Sequence, residues 1–182
     1  GESSRPLSLD AEEFPDHALI LNEQRRNSSR VNVTHRVEAE VRYVDLTEAE
    51  EECDQFIEIS DKADGDFVEK FMTAASPGIV ATTMMNHYYD SHQAYIDALA
   101  HGMQLEYELI HSSGLLLQID CPDLAMERTR FFKDKSVSEF QDMVRMHIDA
   151  INSAVANIPP DQIRLHVCWG NTNSPHIHDV PL

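Results

Sequence analysis

The chain has 182 residues, 32 acidic and 14 basic, with a net charge of −18. This length suffices for one domain with a buried core, and the charge argues against binding to phosphate backbones or anionic membranes. Three cysteines make no disulfide framework, no apolar run reaches the roughly 18 residues of a membrane span, and no signal peptide is visible. We therefore expect a cytoplasmic protein that binds neither nucleic acid nor membrane.

The first 36 residues are polar and weakly periodic, so we predict a loop or extended lead-in before one domain over 37–182. In that domain, apolar residues that alternate or run together indicate strands, and apolar residues at steps of three and four indicate helices. The predicted strands are 37–43, 67–73, 115–120 and 163–168. The third is nearly all apolar, which is typical of a strand buried on both faces. The predicted helices are 47–62, 91–113 and one that opens at Ser136 and stops before Pro159-Pro160.

Local signals mark the helix ends. Thr47 with Glu50, and Ser136 with Glu139, have the spacing of a capping box, in which a hydroxyl and a carboxylate bind free backbone N–H groups. Gly114 follows the second predicted helix at the position of a left-handed C-terminal cap. These signals predict where the helices over 47–62, 91–113 and beyond Ser136 begin or end.

Strands and helices alternate along the chain, which predicts right-handed crossovers and a parallel sheet of about four strands. An open doubly wound sheet and an arc of a (β/α)8 barrel both satisfy this order. No Gly-x-Gly-x-x-Gly follows a strand, so dinucleotide binding has no support. Four strands cannot close a barrel that normally has eight strands and about 250 residues. If the fold is a barrel, we expect this chain to form about half of it, a partial (β/α)8 TIM barrel.

In either architecture, ligands bind at the carboxyl ends of the strands, where Ser76, Asp120, His166 and Cys168 lie. His166 and Cys168 are two residues apart on a strand and share a face, and a thiolate beside an imidazole suits zinc. On spacing alone, a hydrogen-bonded core histidine and a small buried cysteine are the favoured alternative. Asp120 is either a turn or capping residue, or a carboxylate that binds a substrate ammonium.

Three further residues lie in patterns that do not specify a function. Cys121 points away from the face of Asp120 and is predicted to be buried rather than reactive. His176 and His178 are two residues apart and could join His166 and Cys168 in a four-ligand site. Their spacing matches no common structural zinc pattern, so a solvated loop is the favoured interpretation.

Several of these motifs together resemble those of cobalamin-independent methionine synthases. Leu117-Gln118-Ile119-Asp120-Cys121-Pro122-Asp123-Leu124 resembles the strand-end Gln-Ile-Asp-Glu-Pro-Ala-Leu of that family. His166-Val167-Cys168 resembles its His-x-Cys zinc pair, and Thr73 to Val80 its Pro-Gly loop. The end of the chain is similar to a branch containing methionine-synthase-like proteins and coenzyme M-dependent epoxide transferases, in Cys168-Trp169-Gly170-Asn171, Pro175-His176 and Asp179-Val180-Pro181-Leu182. The resemblance runs from about Val37 to Leu182.

This resemblance implies a zinc-dependent S-methyltransferase that activates a small-molecule, homocysteine-like thiol as thiolate for methyl or alkyl transfer. It implies that His166 and Cys168 are zinc ligands and that Asp120 is catalytic and contacts the amino group of the substrate. Further substrate contacts are expected from residues near the strand ends: Ser76, Trp169 and His176. A methylfolate is the expected methyl donor.

The chain departs from the family pattern at the strand ends. Cys121 stands where the family has Glu, and the other two zinc ligands of the family, a Glu and a Cys from later strands, have no counterpart up to Leu182. An alternative function is therefore a catalytically degenerate half-barrel that acts as an oligomerisation or interaction module, completed by a second copy or by the missing barrel half. A metal-free relative of the decarboxylases ranks last, because the strand ends are poor in Arg and Lys.

Overall fold

The computed structural model describes residues 8–26, 35–170 and 176–181, so Asn171, Pro175 and Leu182 of the resemblance lie outside the described residues. In these ranges the chain forms six α-helices, which are α1 (Leu9–Glu13), α2 (Pro15–Arg26), α3 (Thr47–Lys62), α4 (Pro77–Thr83), α5 (His92–Ser112) and α6 (Val137–Ala154). The strands are β1 (Arg36–Val37), β2 (Phe71–Ala75), β3 (Met85–Asn86), β4 (Leu116–Asp120) and β5 (Ile163–His166). Short 3₁₀ helices cover Pro122–Leu124, Met126–Thr129 and Pro160–Gln162. None of the described helices combines the length and apolarity needed to cross a membrane.

Strands β2, β4 and β5 form one parallel sheet in that order, and β1 pairs with β3 in a separate parallel ladder. Ala75 pairs with Asp120, and Asp120 pairs with His166, so the carboxyl ends of the three strands meet at one edge. The predicted mixture of helices and parallel strands is confirmed. The expected sheet of four strands is a sheet of three here, because the first strand belongs to the separate ladder.

The hydrophobic core lies on one face of the main sheet. Leu117 and Ile119 of β4 are fully buried, and Gln118 between them is half-exposed. The core extends from this face into the helices through Tyr107 of α5 and Ile151 of α6. The prediction that this strand is buried on both faces is therefore wrong, because no second layer covers the other face within the described part of the chain.

The helix predictions agree closely with the structure. Helix α3 spans the predicted residues 47–62. Ser91 N-caps α5 through its side chain, and Gly114 adopts φ of +80° just after that helix, as a left-handed cap requires. The capping box of Ser136 and Glu139 is complete at the start of α6. Local signals thus specify these helix ends.

The strand predictions need correction. The first predicted strand shortens to the two residues of β1, because beyond it the N–H of Val41 donates to the Tyr89 hydroxyl at 2.8 Å rather than to another strand. Strand β2 begins later than predicted, at Phe71, where pairing with β4 begins; Val68, before it, is 98% exposed. The last strand ends at His166, short of its predicted end.

Three further elements differ from expectation. The polar residues before the domain contain α1 and α2 in their described part, and Ser8 caps α1 with its side chain. Helix α4 was not predicted; Ser76 is its N-cap and Pro77 opens it, a favourable pairing for a helix start. The predicted capping box at Thr47 is wrong, because the Asp45 carboxylate accepts the Thr47 N–H at 3.0 Å.

Candidate functional site

A carboxylate–histidine pair lies at the carboxyl edge of the sheet. Asp120 ends β4 and His166 ends β5, and Asp120 Oδ1 lies 3.1 Å from His166 Nδ1. Parallel pairing places the two residues side by side, and their side chains are 41% and 52% exposed. A carboxylate bound to one ring nitrogen fixes the histidine orientation and makes the other nitrogen, Nε2, a better base or metal ligand.

A row of hydrogen bonds supports this pair. Gln118 Nε2 donates to Asp120 Oδ1 at 2.9 Å, and Arg164 Nε donates to Gln118 Oε1 at 3.0 Å. The Arg164 guanidinium also lies 3.5 Å from the centre of the Phe71 ring, which is a favourable cation–π position. An open concavity beside the pair is lined by Gln118 and His166, together with Leu165 and Val167. The pair is therefore oriented by neighbouring side chains and accessible to a ligand.

Cys168 follows this pair just beyond β5 and supplies a sulfur. Its side chain is half-buried, and its Sγ accepts the N–H of Gly170 at 3.2 Å. The nitrogen of His166 and the sulfur of Cys168 are donors that zinc prefers, normally in sets of four. Among residues 8–26, 35–170 and 176–181, no group of three or more His, Cys, Asp or Glu side chains is arranged to hold a metal ion. The described residues thus offer two zinc donors at this edge.

The other predicted residues near the end of the chain make contacts of their own. Trp169 Nε1 donates to the Val180 carbonyl at 3.4 Å. His176 Nδ1 lies 3.1 Å from the Asp179 carboxylate, and His178 Nε2 lies 3.0 Å from a glutamate carboxylate of α1. The structure therefore brings Asp120 and His166 together, and does not gather His176 and His178 with them into a metal-binding cluster.

A second polar group, which we call the buried network, consists of Ser76, Asp123, His147 and His92. Ser76 Oγ donates to Asp123 Oδ1 at 2.5 Å, and Asp123 Oδ2 lies 2.8 Å from His147 Nδ1. His147 Nε2 lies 2.9 Å from His92 Nε2. The first three residues are at most 1% exposed, and His92 is half-buried at the start of α5. The network is a continuous chain from the interior toward the surface.

The space for this network depends on Gly78 in the first turn of α4. A Cβ at that position would lie 1.9 Å from Asp123 Oδ2 and 2.4 Å from His147 Nδ1. Phe132 encloses the histidines from another side, with ring centroids 5.9 Å from His147 and 6.2 Å from His92. The Ser76-Pro77-Gly78 sequence thus caps α4, starts it, and leaves room for the buried carboxylate.

Two predicted residues lie beneath the surface at this edge. Cys121 is fully buried, as predicted, and burial together with the carboxylates of Asp123 and Asp120 raises the pKa of its thiol to about 12. Such a thiol is protonated near neutral pH and unreactive. The hydroxyl of Ser76, predicted to contact substrate, is buried and bonded to Asp123 and to the Ile79 N–H.

The buried network was not predicted from the sequence. No role was assigned there to His147, and Asp123 was named only within the motif over 117–124. A histidine among the apolar residues of an amphipathic helix is the one local signal for it. Its partner Asp123 lies 24 residues away in the chain, and no spacing rule joins the two.

Comparison with known proteins adds no relative. No protein-family model matches the chain, and neither does any curated protein or solved structure.

Proposed function

We propose that this chain supplies part of the active site of a zinc-dependent transferase, which activates a homocysteine-like thiol for methyl or alkyl transfer. The proposal rests on the Asp120–His166 pair, 3.1 Å apart at adjacent strand ends, with Cys168 two residues further along the chain. Because Asp120 bonds to Nδ1 of the ring, Nε2 remains for a metal ion. Cys168 adds a soft sulfur donor of the kind zinc prefers.

The layering of the fold supports a partial (β/α)8 TIM barrel. The strands of the main sheet follow chain order, β2, β4, β5, without the reversal that forms the ligand crevice of an open doubly wound sheet. The core lies on the sheet face against α5 and α6, and the Asp120–His166 pair lies on the other face. In a (β/α)8 barrel that other face is the interior, and the carboxyl ends of the strands carry the active site.

Each residue of this edge has a separate task in the proposed reaction. His166 Nε2 and Cys168 Sγ would hold zinc, and zinc, when bound, lowers the pKa of a substrate thiol so that it reacts as thiolate. Asp120 orients the His166 ring, and its exposed carboxylate binds the ammonium group of an amino-acid thiol. The remaining ligands come from outside the described residues, in further barrel strands or in a second copy. The alkyl donor is a methylfolate, and the reaction takes place in the cytoplasm.

Zinc binding tests the ligand assignment. Protein purified without added metal is dialysed against a zinc salt alone, and the zinc bound per chain is measured. X-ray absorption then gives the zinc–sulfur distance, which we expect to be about 2.3 Å. We expect Cys168→Ser and His166→Gln to lower bound zinc, and Asp120→Ala to keep the metal but weaken homocysteine binding. His101→Gln, which changes an exposed histidine on α5, is the matched control. Full zinc in Cys168→Ser would contradict the assignment.

A non-enzymatic role is the second candidate, and the exposed apolar side chains of the sheet favour it. Phe71, on the uncovered face, is 38% exposed, and Leu165 of the outer strand β5 is 52% exposed on the other face. Within the described part of the chain β5 pairs only with β4, so its outer edge can accept another strand. Size-exclusion chromatography with light scattering separates the candidates. A zinc-free obligate dimer favours an interaction module, and a zinc-loaded protein that binds thiol favours the transferase.

A further inference from the structure

The buried network has no part in the proposed zinc chemistry, but its hydrogen bonds define a direction for proton transfer. A carboxylate only accepts hydrogen bonds, so Ser76 Oγ and His147 Nδ1 both donate to Asp123. In the neutral form of His147 that donates from Nδ1, Nε2 is unprotonated and faces His92 Nε2, 2.9 Å away. In that form His92 donates at this contact, which leaves Nδ1 as its basic nitrogen.

We propose that His92 is the general base of a carboxylate–histidine–histidine proton relay, and that it accepts a proton at Nδ1 from a thiol or hydroxyl group of a small ligand. His92 is half-buried at the first residue of α5, and the described residues place no hydrogen bond on its Nδ1. Asp123 and His147 are arranged as the carboxylate and imidazole of a catalytic triad. His92 occupies the position that a nucleophile's hydroxyl has there. This inference does not depend on the zinc proposal.

Two protons move together. The X–H bond of the ligand breaks as an N–H bond forms at His92 Nδ1, and the ligand keeps the electron pair as X⁻. The proton on His92 Nε2 passes at the same time to His147 Nε2. His147 becomes an imidazolium whose Nδ1–H still donates to the Asp123 carboxylate. His92 is neutral before and after, and the positive charge rests beside Asp123.

The surroundings of the two rings favour this location of the charge. Phe131 and Phe132 lie against His92, with ring centroids 6.4 Å and 6.2 Å away. Burial, followed by electrostatic interactions with His147 and Lys135, lowers the pKa of His92 to about 4. A proton is thus unfavourable on His92, whereas on His147 it is paired with the Asp123 carboxylate at 2.8 Å. Among the described titratable groups, Asp123 bonds to His147, and Lys135 acts on His92 through its charge.

Nitrogen-15 NMR of histidine-labelled wild-type protein tests the relay without relying on a variant's fold. At neutral pH we expect His147 protonated on Nδ1 and His92 protonated on Nε2, with His92→Gln used for assignment. On acidification, the first proton taken up by the pair should make His147 an imidazolium and move the His92 proton from Nε2 to Nδ1. The opposite tautomers, or an imidazolium at His92 with His147 neutral, would overturn the proposal.

Diethyl pyrocarbonate, which acylates neutral imidazole nitrogens, tests the same relay by rate. Attack by His92 Nδ1 forms an N–C bond and expels ethyl carbonate, while the Nε2 proton passes to His147. Ethyl carbonate then takes up a proton from water and breaks down to ethanol and carbon dioxide. We expect His147→Gln, which accepts a hydrogen bond but not a proton, to slow modification of His92 by at least about tenfold. Peptide mass spectrometry measures the rates, with exposed His101 as the internal control. Equal rates of His92 modification in folded wild-type and His147→Gln protein would refute the relay. If His147→Gln does not fold, the NMR experiment on wild-type protein decides.

Discussion

The substitution Gly78→Ala is the sharpest available perturbation of the buried network. The added Cβ would lie 1.9 Å from Asp123 Oδ2 and 2.4 Å from His147 Nδ1, and these two atoms form a 2.8 Å hydrogen bond. An ordinary contact requires the Asp123 oxygen to retreat by roughly 1 Å or more, which breaks that bond. Losing a buried hydrogen bond to a charged group costs about 1.5–3 kcal/mol, and overpacking costs about 1–3 kcal/mol. We expect the free energy of unfolding to fall by about 3–5 kcal/mol.

Urea unfolding followed by far-ultraviolet circular dichroism measures this change. The matched control is Gly102→Ala in the buried side of α5, where the added Cβ would lie 3.7 Å from the nearest atom, the Tyr43 backbone nitrogen. Because alanine favours helix more than glycine does, we expect the control to be neutral or to gain up to about 1 kcal/mol. If the free energy of unfolding of Gly78→Ala lay within about 1 kcal/mol of the wild-type value, the Asp123–His147 pair could move apart at little cost. That result would refute the close packing inferred for it.

Three further predictions concern a helix end, the cysteines and pH. Ser136→Ala removes the complete capping box of α6 and should lower the free energy of unfolding by about 1 kcal/mol in urea titrations; no change would mean that the cap is redundant. In native protein, a thiol reagent should label half-buried Cys168 and spare buried Cys121, whose pKa is raised to about 12. Unfolded protein should be labelled at both cysteines. Mass spectrometry of the labelled peptides measures this, and labelling of Cys121 in native protein would contradict its burial. Because burial lowers the pKa of His92 from 6.5 to about 4, the unfolded chain binds this proton first, so stability should fall as pH drops through that range. His92→Gln should flatten that part of the pH profile of unfolding, and an unchanged profile would oppose the assignment.

Helix ends were predictable from the sequence because neighbouring residues decide them. Ser136 and Glu139 complete their capping box without help from the rest of the fold. Thr47 and Glu50 have the same spacing, yet the Asp45 side chain binds both the N–H and the hydroxyl of Thr47. The capping-box spacing takes no account of a competing side chain before the helix, such as Asp45. The spacing therefore predicts the helix start but not the hydrogen bonds that cap it.

Only those features of the candidate site that follow from the order and direction of the strands were predictable from the sequence. Asp120 and His166 could be assigned to one edge because the carboxyl ends of parallel strands meet there. Their direct contact depends on the strand register, which the apolar pattern does not specify. The bond between Asp123 and His147 joins the 3₁₀ helix after β4 to the middle of α6, and no spacing in a single sequence pairs the two residues. The covered and open faces of β4 also could not be told apart from a nearly continuous apolar run.

The parallel sheet also has a consequence for how the chain folds. Phe71 pairs with Leu116, and Leu117 pairs with Ile163, so each ladder closes a loop of about 45 residues. Loop closure costs chain entropy before strand contacts compensate for it, which slows the folding of sheets with distant partners. Each loop contains one long helix, α5 or α6, and helices form far faster than distant strands pair. A helix that forms early shortens the flexible part of the loop between the two strands that must pair. We therefore expect the contact between Asp120 and His166 to form late in folding, after the second loop has closed.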